Sequence, residues 1–100
     1  MELGRVTGQV VATMKQDGLH GLKLLLVAAL DPATGETAPG ALPYVAIDLT
    51  GAGTGEVVVV TRGSSARVAA GTAEVPTDAA VVAIVDSVIV DGKQTFDKSA

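Results

Sequence analysis

The chain has 100 residues, no cysteine and a formal net charge of −4, with 48% hydrophobic and 18% charged residues. This length allows one domain over residues 1–100, and the charged share is below the roughly 25% of typical soluble domains, so we expect apolar surface to be buried between subunits. The negative charge argues against nucleic-acid binding, which needs a basic face. The absence of cysteine excludes disulfides and thiolate metal sites.

Membrane and export signals are not recognisable in the sequence. The longest uninterrupted apolar run, residues 24–30, is far shorter than the ~20 residues needed to cross a bilayer. The first residues enter a strand-like pattern without a basic region followed by an apolar segment, so no secretory signal is predicted. We therefore expect a cytoplasmic protein that does not span a membrane.

The first half of the chain predicts two strands and a long connection. Residues 2–15 alternate loosely between apolar and polar side chains and predict a strand that two glycines would allow to bend. A short polar turn containing the only histidine, His20, separates this strand from a second one over residues 22–30. Residues 31–43 carry three of the four prolines and predict an exposed, mobile loop.

The middle of the chain predicts two strands and a short helix. Residues 44–49 and 57–61 score as strands on the two sides of a glycine-rich corner. Ser64 is predicted to cap a helix over residues 66–70, because its hydroxyl can accept hydrogen bonds from the first helical N–H groups. Gly71 is predicted to end this helix in the left-handed conformation.

The C-terminal part predicts a hairpin. Residues 79–90 form an apolar, β-branched run, and Asp91-Gly92 is typical of two-residue hairpin turns, so residues 93–96 are predicted to return as a strand within a hairpin and tail over residues 91–100. Five or six short strands with glycine bends and one short helix predict an all-β fold, a small OB-like five-stranded antiparallel β-barrel. A β-sandwich is the main alternative.

The sequence offers no convincing catalytic or ligand-binding motif. Residues 51–55 resemble a phosphate-binding loop, but a valine strand follows where such a loop needs a helix. His20 alone supplies neither a metal site nor a nucleophile's base. Asp78 and Asp86 would lie roughly 26 Å apart on an extended strand at ~3.3 Å per residue, too far to act as a pair. We predict a protein that is not an enzyme and binds no metal or cofactor.

Four separated segments carry a resemblance to a known family: residues 8–13, 21–27, 48–67 and 78–86. With these segments, over roughly residues 1–90, the chain resembles the EutN/CcmL family of bacterial microcompartment vertex proteins. The resemblance implies a homopentamer that closes the vertices of a cytoplasmic protein shell around metabolic enzymes. Hexamers tile flat sheets, whereas a closed cage needs five-fold units, and a head-to-tail interface that closes produces such a ring.

The resemblance also implies positions and partners. The expected partners are the chain itself, hexameric or pseudohexameric shell proteins and, in addition, the enclosed enzymes. The segment implied to line the pentamer axis or pore comprises Gly51, Ala52, Gly53 and Gly55. The segment implied to contact the adjacent subunit, with the guanidinium as its polar anchor, comprises Gly63, Ser64, Ser65, Ala66 and Arg67.

A different class of function remains open on the sequence alone. An OB-like barrel could be a monomeric binding module for single-stranded nucleic acid or an oligosaccharide. Such modules stack bases or sugar rings on aromatic side chains in a basic groove. One tyrosine, one phenylalanine and a negative net charge supply little of either, which makes this the weaker alternative.

Overall fold

A computed structural model of the chain describes residues 1–13, 15, 17–19, 21–71 and 75–99, so His20 lies outside the described residues. None of the described helices is both long and apolar enough to cross a membrane. Besides a 3₁₀ turn over Asp17–Leu19, the elements are β1 (Glu2–Val10), β2 (Lys23–Asp31), β3 (Glu36–Thr37), β4 (Tyr44–Asp48), β5 (Val57–Arg62), α1 (Ser64–Ala69), β6 (Ala79–Ile84), β7 (Ser87–Val90) and β8 (Lys93–Asp97).

Five of these strands close into a barrel in the order β1, β5, β6, β4, β2. β1 pairs antiparallel with both β5 and β2, which closes the ring. The predicted five-stranded barrel is confirmed, but its pairing is mixed because β4 and β6 run parallel, with Ile47 opposite Ala80. The chain passes through β5 and α1 between these two strands, and such a crossover brings β6 back in the direction of β4.

The barrel interior is filled by small and β-branched side chains. Alternate residues of each strand point inward, as the two-residue period of a strand requires. Burying each larger aliphatic side chain contributes about 1.5 to 3 kcal/mol. The buried members of this inner core, each at most 1% exposed, are Val6, Leu25, Val27, Ala46, Ala52, Val58, Val60, Ala79 and Val81.

A second apolar cluster lies outside the barrel beneath α1. Ala66 of the helix packs with Ile47 and Ala80, which face outward from β4 and β6. The helix begins at Ser64, and its N-cap is Gly63 with φ +65° and no side-chain hydrogen bond. The predicted cap at Ser64 is therefore wrong, because a glycine after β5 makes the turn in a conformation that serine rarely adopts. The predicted end at Gly71 is confirmed by its φ of +86°.

The predicted C-terminal hairpin is confirmed. Asp91 and Gly92 both have positive φ, which is the geometry of a type I′ turn, and among the described strands β7 pairs with β8 alone. The apolar run over residues 79–90 is two strands rather than one. β6 ends where the Val85 N–H donates to the Val57 carbonyl at 2.8 Å, and the chain then leaves the barrel.

Two further boundaries differ from the sequence predictions. β1 ends at Val10, five residues before the predicted end of the first strand. The proline-rich connection contains β3, whose two residues pair with the end of β2 through Leu30 opposite Thr37 and Asp31 opposite Glu36. This pairing holds the first part of the connection against the barrel.

Candidate assembly surfaces

The glycine loop, residues 49–56, closes one end of the barrel between β4 and β5. Ala52 is completely buried in the inner core, whereas Gly51 and Gly55 are exposed and Gly53 is half-buried. Gly51 and Gly55 have φ of +80° and +91°, and an added Cβ at either would meet nothing within 4 Å. Glycine is therefore favoured at these two positions by the backbone conformation and not by crowding within the chain.

Two carboxylates hold backbone N–H groups of this loop. Glu56 accepts the N–H of Gly53 at 2.8 Å through one oxygen and the ammonium group of Lys98 at 2.8 Å through the other. Asp48, at the end of β4, accepts the N–H of Gly51 at 3.2 Å. Such local carboxylate bonds fix the path of a tight turn. Glu56 thus joins the glycine loop to the C-terminal tail.

The ionic contact between the loop and the tail affects both of its charged groups. Hydrogen bonds from Lys98 and from the Gly53 N–H lower the pKa of Glu56 below its ordinary value. The same contact raises the pKa of Lys98. Because both groups are at the surface, solvent screening keeps the stabilisation from this pair small.

Two cations bind backbone carbonyls of the same loop. Lys23, at the start of β2, donates to the Ala52 carbonyl at 3.0 Å. Arg5, on β1, donates to the Gly55 carbonyl at 2.7 Å. Each bond satisfies a carbonyl that no strand partner uses. The loop is therefore held in one conformation by residues of its own chain.

The second predicted segment, residues 63–67, lies at the start of α1. Ala66 is completely buried in the outer cluster, whereas the other four residues are exposed. Arg67 is exposed and makes no hydrogen bond or ion pair with another described residue. Val68, the next residue, is 80% exposed. Arg67, unpaired among the described residues, and the adjacent Val68 thus present a cation and an apolar side chain to the surroundings.

The structure does not bring the two predicted segments together. The glycine loop precedes β5 and α1 follows it, so the six residues of β5 separate them. At ~3.3 Å per residue this is roughly 20 Å, the length of the barrel wall. The two segments can contact a neighbouring molecule only at separate places.

An arrangement that the sequence analysis missed lies at the α1 end of the barrel. Arg62 forms an ion pair with Glu2 at 3.0 Å, and its guanidinium lies 4.2 Å from the centre of the Tyr44 ring. The Tyr44 hydroxyl is buried without a hydrogen-bond partner among the described residues. Burial, assisted by the Glu2 charge, raises the pKa of this hydroxyl. Glu2 and Arg62 meet through the pairing of β1 with β5, whereas Tyr44 of β4 reaches them only because the barrel closes. No local sequence pattern signals this arrangement.

The described residues contain no group of three or more histidine, cysteine, aspartate or glutamate side chains that could hold a metal ion. The charged side chains of Arg5, Lys23 and Glu56 instead bind carbonyl or N–H groups of the glycine loop. These contacts are of the kind that positions backbone, and no arrangement of a nucleophile with a base is formed by them.

The chain shares its sequence and fold with proteins of known identity. GrpN of Rhodospirillum rubrum, named as a bacterial microcompartment shell vertex protein, is 49% identical over 88 residues, which cover 88% of this chain and 96% of that relative. The solved structure of CcmL of Gloeobacter violaceus matches with a TM-score of 0.89 at 40% identity and covers 100% of both chains.

A second solved structure is that of a pentameric relative, the GrpN pentameric microcompartment shell protein from Rhodospirillum rubrum. It matches with a TM-score of 0.77 at 44% identity and covers 90% of this chain and 98% of that one. The sequence profile of the family described as "Ethanolamine utilisation protein EutN/carboxysome" matches residues 1–86. The chain belongs to the EutN/CcmL family.

Proposed function

We propose that this chain is a structural shell protein that assembles as a homopentamer and occupies the vertices of a bacterial microcompartment in the cytoplasm. The observation that carries the proposal is the match to a pentameric shell protein over 90% of this chain at 44% identity. The relatives described above are named or described as shell proteins or members of this family, and none as a nucleic-acid or oligosaccharide binder.

The geometry of the two segments supports this assembly. In the proposed ring, the glycine loop lies near the five-fold axis, where the open space above Gly51 and Gly55 lets neighbouring copies approach closely. Ala52 contributes from inside the barrel by fixing the loop. The exposed part of residues 63–67 contacts the adjacent subunit, where Arg67 can bind a carboxylate or carbonyl of that subunit.

The proposal extends to the surroundings of the ring. The single domain over residues 1–100 has a structural role and no catalytic one. Hexameric or pseudohexameric shell proteins surround the pentamer, and metabolic enzymes lie inside the shell. A ring of five barrels supplies the curvature that flat hexameric layers lack.

The mass of the purified protein tests the assembly. Native mass spectrometry is expected to give five times 9.9 kDa, or about 50 kDa. Arg67→Glu is expected to leave the barrel folded and weaken the ring, whereas Lys93→Glu, on the exposed hairpin, serves as a control of equal charge change. A strict monomer at every concentration would contradict the proposal. An unchanged ring in Arg67→Glu would remove only Arg67 from the contact.

A further inference from the structure

The C-terminal hairpin of β7 and β8 lies outside the barrel. Among the described strands, its two members pair with each other alone. The hairpin is closed at its base, where the Lys98 N–H donates to the Asp86 carbonyl at 2.8 Å. A hairpin of two strands is at best marginally stable by itself in water. Its position therefore depends on its contacts with the barrel and with the connecting loops.

A bulge turns β8 toward the proline-rich connection. The register between β7 and β8 shifts by one residue, which leaves Thr95 without an opposite residue on β7. Such a bulge bends a strand and redirects its side chains. The Thr95 hydroxyl donates to the Pro32 carbonyl at 2.6 Å, and an added Cβ at Gly35 would collide with the Thr95 carbonyl. This contact positions the following residues of β8 beside β1.

The first link between the hairpin and the glycine loop runs through Arg5 of β1. The Arg5 guanidinium lies 5.7 Å from the centre of the Phe96 ring, within the range of a cation–π contact. The same guanidinium donates to the Gly55 carbonyl at 2.7 Å. Ordering a long side chain costs conformational entropy, and the half-buried Phe96 ring helps to offset that cost. Phe96 thus acts on the glycine loop from outside it.

The second link runs through Glu56, the last residue of the glycine loop. One carboxylate oxygen of Glu56 accepts from the Lys98 ammonium group at 2.8 Å, and the other accepts the Gly53 N–H at 2.8 Å. The side chains of Lys98 and Glu56 are 49% and 25% exposed. Water and salt therefore reach this ion pair, and the pair can be broken without opening the barrel core.

We infer that the C-terminal hairpin with Lys98, residues 87–98, is a strap that holds the whole glycine loop in one conformation through Arg5 and Glu56. Both links leave the strap within three residues of each other, at Phe96 and Lys98. Displacing this short stretch breaks both links at once, so the strap is held or released as one unit. The glycine loop is then loosened at Gly53 and Gly55 together.

The strap can be released while the barrel stays folded. Its attachment consists of one hydroxyl hydrogen bond, one cation–π contact and one exposed ion pair, each of a kind that contributes little by itself. The barrel has its own apolar core, and segments with few buried contacts open at a lower cost than the core does. The coupling is a property of a single copy. Only its consequence at the five-fold axis, a rigid or a mobile axial loop, rests on the proposed function.

Hydrogen exchange at two amides of the glycine loop tests the inference. The Gly53 amide donates to Glu56, and the Gly55 amide donates to the Val6 carbonyl at 2.7 Å. Phe96→Ala removes the link through Arg5, and Lys98→Met removes the link through Glu56. We expect each variant to speed exchange at both amides roughly fivefold, because loss of either link releases the strap.

Two matched controls lie on the same hairpin. Ile89→Ala shortens an apolar side chain that is 67% exposed, and Lys93→Met removes an exposed ammonium group. Both controls are expected to leave exchange at Gly53 and Gly55 within about twofold of the wild type. Circular dichroism and thermal unfolding check that every variant is folded. If Phe96→Ala fails to fold, Phe96→Leu replaces it with the same expectation.

Salt offers a reversible release of the strap. Raising the ionic strength screens the exposed Lys98–Glu56 pair. Exchange at Gly53 and Gly55, measured relative to a buried amide of β5 in the same sample, should therefore become faster with added sodium chloride in the wild type. Lys98→Met should remove this dependence on salt, and Lys93→Met should keep it. A dependence that persists in Lys98→Met would contradict a release through this pair.

The pattern of exchange decides between a strap and two local contacts. Unchanged exchange in Phe96→Ala and Lys98→Met overturns the inference, and so do controls that exchange as fast as these variants. An effect of Phe96→Ala on Gly55 alone and of Lys98→Met on Gly53 alone also overturns it. Native mass spectrometry of the same samples separates this result from the proposed function. A monomer with coupled amides would contradict the pentamer and support the strap, whereas a pentamer with uncoupled amides would do the reverse.

Discussion

The glycine loop and the proline-rich connection look alike in sequence but are held very differently. Both are rich in small residues and turn formers. The glycine loop places Ala52 in the barrel core and binds cations at two of its carbonyls. The proline-rich connection is attached at its first half, where Thr95 donates to the Pro32 carbonyl at 2.6 Å, and open at its second, where Leu42 is 85% exposed.

One side chain contributes to both attachments. Arg5 donates to the carbonyl of Gly55 in the glycine loop and, at 3.3 Å, to that of Gly35 in the proline-rich connection. Its guanidinium also lies 5.7 Å from the Phe96 ring of β8, within the range of a cation–π contact. In these two loops, composition determines where the chain turns, whereas side chains distant in sequence, such as Arg5, determine whether the turn is held in one conformation.

The largest expected effect removes the buried anchor of the glycine loop. Ala52→Asp places an unpaired charge in the inner core, and we expect the free energy of unfolding to fall by about 4 kcal/mol. Leu42→Asp, in the open half of the other loop, is the control and should change it by less than about 0.5 kcal/mol. Urea denaturation measures both. Equal losses would mean that the two loops are held alike.

A smaller effect distinguishes the two halves of the proline-rich connection. Gly35 and Gly40 have nearly equal φ, +73° and +72°, so alanine at either pays the same backbone cost of about 1 kcal/mol. At Gly35 the added Cβ would also collide with the Thr95 carbonyl, whereas at Gly40 it meets nothing within 4 Å. We expect Gly35→Ala to lower the unfolding free energy by about 2 kcal/mol more. Thermal or urea unfolding of both variants tests this. Equal losses of unfolding free energy would show that β8 shifts away from the added Cβ at little cost.

The smallest effect concerns the contact between the glycine loop and the tail. Because the folded-state pKa of Glu56 is lowered, its contribution is present above the ordinary carboxyl value of 4.5 and is lost as pH falls through the folded pKa. Protection of the Gly53 amide from hydrogen exchange should therefore decrease on acidification in the wild type. Glu56→Gln keeps an acceptor for Gly53 but removes the charge.

The Glu56→Gln variant should abolish this pH dependence, with Lys98→Met as the matched change on the other partner. An NMR titration that follows the Gly53 amide measures it in all three proteins. A Gly53 amide whose protection is identical in wild type and Glu56→Gln across the acidic range would show that the carboxylate does not hold the loop.

Much of the fold could be predicted from the sequence, because strand and turn signals are local. The β-branched run of β5 and the Asp91-Gly92 turn depend on neighbouring residues only. Pairing between strands depends on residues far apart, and the parallel β4–β6 pair was therefore not predicted. The prediction of a single strand over residues 79–90 was wrong. The strand breaks after β6, where the Val85 N–H bonds to the Val57 carbonyl, and a partner so distant in sequence leaves no local pattern.

The candidate surfaces were less predictable than the fold. The resemblance marked residues 63–67 as one block, but helical geometry turns Ala66 inward and its neighbours outward. Ala52 stands between glycines and gives no sign of burial in the sequence. The stack of Glu2, Arg62 and Tyr44 exists only because barrel closure brings β1, β5 and β4 to the same end. These features require the register of the whole barrel.

The closure of the barrel by β1 has a consequence for how the chain folds. The connection between β1 and β2 comprises 12 residues (11–22), whereas 46 residues (11–56) lie between β1 and β5, which pair with Glu2 opposite Val60. Loop-closure entropy makes the second pairing the slower one. We expect a β1–β2–β4 sheet to form first, with the other edge of β1 unpaired until β5 and β6 arrive. During that interval the unpaired edge of β1 can pair with another chain. The time before β5 pairs with β1, rather than the stability of the finished barrel, therefore determines the risk of aggregation.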